Sequence, residues 1–270
     1  MNNILIVGCG HMGSALLNFW IKNKKYKFTI IDPFKHKLLK NKFNHKNITI
    51  TNSVKKINTI KDFDIVIIAV TPQVAEKTLK DYKYLSFKKT CVLVSIMAGK
   101  KIIFLNKLLP NIKQIVRVMP NMPALIGEGV SCLVSNKFVT KINKNKITNL
   151  FNQVGTIVWF NKEKDIDIAT AISGSGPGYI FYLIDAMENG ANNLGLNDKI
   201  NKKIILETFK GSLKLLEHTG IKASQLANKI AIKGGTTEAG IQTMKNNKID
   251  KILSNTFLSA YKRANILGKK

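Results

Sequence analysis

A chain of 270 residues, 45% hydrophobic and 22% charged, has room for two domains and a sizeable core, which excludes a disordered tail. Its formal net charge is +27, yet only Arg117 and Arg263 are arginines and the lysines are spread over the whole length. Nucleic-acid readers concentrate arginine forks on one face, so this charge reads as a lysine-rich bias whose field favours small anions. Cys9, Cys91 and Cys132 are far apart and each sits in or beside an apolar run. Reduced core thiols are therefore expected, without a disulfide framework or metal site, and with them a cytoplasmic location. The apolar runs stop short of a membrane span and the N-terminus has no signal-peptide layout, so no membrane association is expected.

Ile4-Leu5-Ile6-Val7 is a continuous apolar run, as expected of a parallel strand buried on both faces, and it leads directly into Gly8-Cys9-Gly10-His11-Met12-Gly13. Leu16, Leu17, Phe19 and Trp20 then recur at helical spacing, and Phe28 to Ile31 reads as a second strand ending at Asp32. The strand, glycine turn, helix and acid-tipped strand match the dinucleotide-binding fingerprint in its proper context, and Asp32 follows Gly13 at the interval the fingerprint expects. Gly8 permits the turn, Gly10 lets a pyrophosphate approach, Gly13 lets helix and strand pack, and the phosphates sit on the helix N-terminus. Asp32 favours a free ribose hydroxyl and hence NAD, whereas Lys35, His36 and Lys37 suit a 2′-phosphate, so the sequence leaves both cofactors open.

The alternation continues through Asp64 to Val70, which ends in Thr71-Pro72-Gln73, and Val92 to Ser95, which ends in Ile96-Met97-Ala98-Gly99. Ligands lie at the carboxyl ends of strands in open α/β sheets, so Ala69, Val70, Thr71, Pro72 and the stretch from Ser95 to Gly99 are expected to line a cofactor crevice. Asn52, after Ile48-Thr49-Ile50, is a candidate for the adenosine side or a turn asparagine. Ile115 to Met119 leads into Pro120-Asn121-Met122-Pro123, expected to be an extended loop, and strands at 130–134 and 155–160 flank a helix over 142–153.

After Lys162 strand-like runs vanish and long helical patterns follow. The expected domains are therefore 1–162, a Rossmann-type doubly wound α/β sheet, and 163–270, an all-α domain. Ile180, Leu183, Ile184, Met187, Ala191 and Leu194 form one wide apolar stripe, and Ile204, Ile205, Phe209, Leu213, Leu215 and Leu216 form another. Stripes this wide exceed what an isolated bundle buries, so a second copy is expected to cover them and make a homodimer. Ser173-Gly174-Ser175-Gly176-Pro177-Gly178 is a joint of small and breaking residues, either a helix corner or a place where another backbone or a ligand comes close. Lys233-Gly234-Gly235-Thr236-Thr237-Glu238 resembles a helix N-terminus with unpaired N–H groups, which is either an ordinary capped turn or an anion site.

Taken together, residues 4–13, Ala69-Val70-Thr71-Pro72-Gln73, Met119-Pro120-Asn121-Met122-Pro123-Ala124, Ser173-Gly174-Ser175-Gly176-Pro177 and Gly234-Gly235-Thr236-Thr237 resemble pyrroline-5-carboxylate reductases, in order and along nearly the full chain. The resemblance implies the last step of proline synthesis: hydride transfer from NADPH or NADH to the cyclic imine 1-pyrroline-5-carboxylate, with no nucleic-acid partner. It also implies a helical domain that interlocks two subunits; dimers in this family often assemble further, five to a decamer. By the resemblance Gly8, Cys9, Gly10, His11, Met12, Gly13, Asn52, Ala69, Val70, Thr71, Pro72, Met97 and Ala98 hold the cofactor. Thr237 stands beside the pyrroline nitrogen, Gly235 and Thr236 hold the substrate carboxylate, and Glu163 lies near the substrate. Two departures stand out: Thr71 replaces a usual lysine, and Asp32 is acidic where small polar or basic residues are common.

Reducing a cyclic imine requires a nicotinamide against the C=N carbon, a carboxylate anchor and a donor near nitrogen. Thr237 has a hydroxyl donor but is a poor acid at neutral pH, so orienting a protonated iminium, or relay from water, is the expected role. A related hydroxy- or imino-acid dehydrogenase shares the N-terminal, sheet-forming part of this pattern, and a silent nucleotide-binding or basic nucleic-acid-binding protein is the alternative from another class.

Overall fold

The computed structural model describes residues 2–57 and 62–269. Eight strands form one sheet in the order β3-β2-β1-β4-β5-β6-β7-β8. They are β1 (Asn2–Val7), β2 (Tyr26–Ile31), β3 (Ile48–Thr51), β4 (Ile65–Ile68), β5 (Val92–Ser95), β6 (Gln114–Met119), β7 (Gly129–Ser135) and β8 (Gly155–Trp159). The first six run parallel, β7 is antiparallel to β6, and β8 is parallel to β7. The helices of this part are α1 (His11–Trp20), α2 (His36–Lys42), α3 (Ala75–Leu79), α4 (Ile102–Leu108), α5 (Lys141–Phe151) and α6 (Glu163–Ala169).

The continuous apolar runs produce this sheet because both of its faces are covered. Successive side chains point to opposite faces, so Ile4, Ile6, Ile65 and Ile67 enter one core with Leu16, Trp20 and Phe151, while Leu5, Val7, Val66 and Ile68 enter the other with Leu79 and Leu105. Trp20 locks the first core: its indole N–H donates to the Leu150 carbonyl (2.8 Å) and its ring meets Phe151 edge-on, at 5.3 Å between centroids.

The segment after β6 departs from the expected extended loop. Asn121 is extended, but Met122–Ile126 is a 3₁₀ turn with Pro123 at its second position, ending at Gly127 with φ +82°. The N–H groups of the first residues of a helical turn have no partner within it, so Pro123, at the second position, removes no hydrogen bond and is accommodated rather than blocking the turn.

Beyond α6 the chain makes a π-helical turn, Thr170–Gly174, then α7 (Gly176–Asn192), α8 (Asp198–Thr219), α9 (Ala223–Ile230), α10 (Thr236–Asn246) and α11 (Ile249–Lys269). The compact units are Met1–Ser175 with Ala260–Lys270, and Gly176–Ser259, so the last turns of α11 belong with the sheet. In the helical unit, Ile180, Phe181, Leu183 and Met187 of α7 and Ile204, Leu213 and Leu215 of α8 are exposed on the single chain. Among the described residues no helix is long and apolar enough to cross a membrane.

The end of α11 reaches the loop after β5 through two glycines. Gly99 has φ +76°, and a Cβ on Gly268 would stand 2.5 Å from the Gly99 carbonyl oxygen. A backbone oxygen cannot yield as a flexible side chain can, so a methyl group there displaces the loop or the helix end. Gly268→Ala is therefore expected to cost about 1–3 kcal/mol, read as a lower urea midpoint at fixed protein concentration; an unchanged midpoint would show that the helix end detaches freely.

Candidate functional site

The turn between β1 and α1 is shaped by what lies under it. Gly8 has φ +79°, and a Cβ there would meet Val70 Cγ1 at 2.5 Å and the Ala69 carbonyl oxygen at 3.1 Å; one on Gly13 would meet Ala69 Cβ at 3.3 Å. The residues that follow β4 thus form the floor on which the glycine turn rests. Gly10, by contrast, has nothing within 4 Å of a built Cβ. Its open face is where a phosphate can approach the main chain. The first main-chain bond of α1 runs from the Ser14 N–H to the Gly10 carbonyl (2.9 Å), so the N–H groups of the first helical residues stay outside the ladder.

Asp32 is buried, and its carboxylate is engaged on both oxygens. Oδ2 accepts from the Cys9 N–H (3.0 Å), and Oδ1 accepts from the N–H groups of Phe34 (3.1 Å) and Lys35 (2.8 Å). One side chain therefore ties the end of β2 to the phosphate turn and shapes its own following loop. Beside it opens a cavity of ≈ 230 Å³ lined by Gly10, His11, Ser14, Lys35 and Lys42 among others. Two lysines and a helix N-terminus give that space an anion-attracting character. Burial pushes the Cys9 thiol above its usual range, with Ser14 opposing that shift. Cys9 is accordingly a neutral thiol packed beneath the turn, and its N–H, already given to Asp32, shapes the loop.

Around the crevice, Met12, Asn52, Ala69, Val70, Pro72 and Ala98 are half-buried and Thr71 is exposed, while Met97 is buried with its N–H donated to Ser95 Oγ (3.2 Å). Glu163 opens α6 and is held in an ion cluster. Its Oε1 accepts from Arg117 Nη1 (2.8 Å) and from the Ile102 N–H (2.7 Å), and Arg117 Nη2 reaches Asp167 Oδ1 (3.2 Å). Arg117 and Asp167 are buried, so removing either partner would leave a charge stranded. This cluster ties β6, α4 and α6 together.

Composition and spacing give little notice of Arg117 and Asn121. Asn121 Oδ1 accepts from the Val130 N–H (2.7 Å), and its amide donates to the Ser173 carbonyl oxygen (3.1 Å) and Oγ (3.3 Å). A Cβ on Gly174 would meet Met119 Cε at 2.9 Å. At its Ser173–Gly174 end the small-residue joint is thus a close approach to the strand end of β6. An asparagine set between two prolines was the available sequence cue to a buried linker.

The helical unit carries the second main-chain cradle. Gly235 caps α10 without a side-chain bond, and the first main-chain bond runs from the Ala239 N–H to the Gly235 carbonyl (3.2 Å). Glu238 Oε2 reaches back to the Gly234 N–H (2.7 Å), in the manner of a capping box. The N–H groups of Thr236 and Thr237 stand ahead of the helical ladder, and Thr237 is half-buried.

Comparison with known proteins gives two family models. "Pyrroline-5-carboxylate reductase dimerisation" matches residues 163–267, and "NADP oxidoreductase coenzyme F420-dependent" matches residues 3–99. A pyrroline-5-carboxylate reductase of Haemophilus influenzae is 31% identical, covering 88% of this chain and 87% of its own; that of Aquifex aeolicus is 33% identical, covering 89% and 88%. The crystal structure of Plasmodium falciparum pyrroline carboxylate reductase with NADP bound superposes with a TM-score of 0.85 at 30% identity, covering 99% of this chain and 98% of that one.

The engagement of Asp32 sets an expectation. Asp32→Asn replaces one of the two acceptor oxygens by an amide donor and leaves either the Cys9 N–H or those of Phe34 and Lys35 without an acceptor, so binding of NADH and of NADPH should weaken together, by roughly tenfold. Fluorescence titration with both nucleotides checks this; a change confined to NADH would mean that Asp32 reads the ribose.

Proposed function

The chain belongs to the pyrroline-5-carboxylate reductase family, and from that membership together with its two main-chain anion cradles we infer that it reduces 1-pyrroline-5-carboxylate to L-proline with NADH or NADPH. The observation that carries the substrate assignment is the start of α10, where the Thr236 and Thr237 N–H groups precede the helical ladder. A carboxylate placed there completes the orphan donors and meets the positive end of the helix.

The residues of the glycine turn suit the cofactor. Gly10 leaves room for a pyrophosphate, Gly8 and Gly13 could bear no side chain without disturbing Val70 or Ala69, and Lys35 and Lys42 supply positive charge. The reduced nicotinamide supplies the hydride that the imine carbon accepts. The remaining tasks fall to the chain itself: Gly235, Thr236 and Thr237 hold the carboxylate, which fixes the face of the ring presented. The Thr237 hydroxyl orients the nitrogen, which enters as a protonated iminium and leaves as the amine of proline, so no strong acid is needed. Ala69, Val70, Thr71, Pro72, Met97, Ala98 and Asn52 are assigned to the cofactor walls. Glu163, already bound by Arg117, acts near the substrate by holding α6 in place.

The chain is a dimer, and the exposed apolar side chains of α7 and α8 are the surface a second copy covers. Assembly of five dimers into a decamer extends that reading, and light scattering that returns only a dimer would remove it. We propose the functional boundary after Lys162; a dimerisation model starting at residue 163 supports it, while the compact sheet unit continues to Ser175. Three free, buried cysteines favour the cytoplasm as the compartment.

An assay of NADH and NADPH oxidation with 1-pyrroline-5-carboxylate tests the activity, and no oxidation of either would overturn it. Thr237→Ala is expected to lower kcat by roughly a hundredfold through lost orientation, with cofactor affinity unchanged. Near-normal turnover in that variant would take Thr237 out of the chemistry while leaving the activity itself standing.

A further inference from the structure

Lysine side chains are seldom removed from water unless an acid accompanies them. Lys100, which follows Gly99 beyond β5, is only 4% exposed. Among the described residues no carboxylate lies within ion-pairing distance of its ammonium. Its ammonium lies over the Phe104 ring, with Nζ 4.2 Å from the centroid. A ring face supplies a fraction of what a carboxylate would, so the ammonium meets the cavity without a counter-charge among the described residues.

The side chain lines a cavity of ≈ 180 Å³ with Pro72, Gln73, Glu76 and Leu267. That volume is well below what a dinucleotide needs and is of the size of a small metabolite. Its charges are opposed: Lys100 is buried, and Glu76, on α3, is exposed and not paired with it. A dianion such as phosphate would gain from Lys100 and lose to Glu76. A small zwitterion satisfies both, with its carboxylate on Lys100, its ammonium on Glu76 and its carbon skeleton between Pro72 and Leu267.

We propose that the cavity walled by Lys100, Glu76, Pro72 and Leu267 is an accessory binding site for a small amino or imino acid in its zwitterionic form. It uses none of the residues assigned to hold the substrate carboxylate, and its existence does not depend on the activity inferred above. Pro72 belongs to both this wall and the proposed cofactor wall, so occupancy would be felt at the cofactor crevice.

The test is isothermal titration of the full chain with glycine, L-proline, acetate and inorganic phosphate at constant ionic strength, in the wild type, Lys100→Met, Glu76→Gln and Thr237→Ala. Saturable binding of glycine or L-proline is expected, weakened about tenfold or more by Lys100→Met and by Glu76→Gln and retained in Thr237→Ala. Acetate is expected to bind more weakly and to be indifferent to Glu76→Gln. Glu76 is exposed, so its variant reports on the site even if Lys100→Met folds poorly. Absence of saturable amino-acid binding, binding that neither variant weakens, or loss of binding only in Thr237→Ala would each overturn the proposal, as would phosphate binding more tightly than both amino acids.

Discussion

The carboxylate of Asp32 closes the phosphate turn from within. By accepting from Cys9, Phe34 and Lys35, it joins the end of β2 to the beginning of α1 and satisfies the buried Cys9 donor, which would otherwise be left without water. The N–H groups left over are those at the first turn of α1, beside the open face of Gly10. A rigid, partly satisfied helix end of this kind can receive a phosphate without reorganising. The same acid that suggests a ribose contact in the sequence also shapes the loop, because a carboxylate separated from Gly13 by all of α1 and β2 returns beside the turn once β2 pairs with β1.

An analogous arrangement recurs at α10, with different residues. Glu238 takes the N–H of Gly234, which sets the left-handed turn at Gly234 and leaves the Thr236 and Thr237 donors facing outward. In both places an acidic side chain satisfies the donor at the turn so that the donors of the helix itself remain free. The helix end at Gly235 is thus one whose geometry is held by its own cap.

The Arg117 cluster and Asn121 act at a greater remove. Two buried or half-buried acids on α6 converge on one guanidinium of β6, and Asn121 bridges the start of β7 to the Ser173 turn. Buried ion pairs contribute little net stability against an apolar alternative, yet breaking one is costly. Their effect here is to hold the strand ends and α6 in one arrangement, which is what a site assembled from several strand ends requires.

The local physics of the chain was sufficient for the strands and long helices and for the glycine turn after β1, though not for the 3₁₀ turn after β6. Short continuous apolar runs bounded by turn residues fit buried strands, a Gly-x-Gly-x-x-Gly turn between strand and helix constrains its own backbone, and wide apolar helix stripes call for a covering surface. Those are properties of neighbouring residues, so Ile4 to Gly13, Gly234 to Thr237 and the stripes of α7 and α8 were legible from order alone. Partners distant in sequence were not. That Asp32 turns inward to Cys9, that Glu163 is held by Arg117, that Gly268 meets Gly99, and that the largely buried Lys100 has no acid paired with it among the described residues each depend on how segments far apart in the chain are packed together. A charged side chain states its chemistry in the sequence, but only the tertiary structure decides which donors reach it and how much water it keeps.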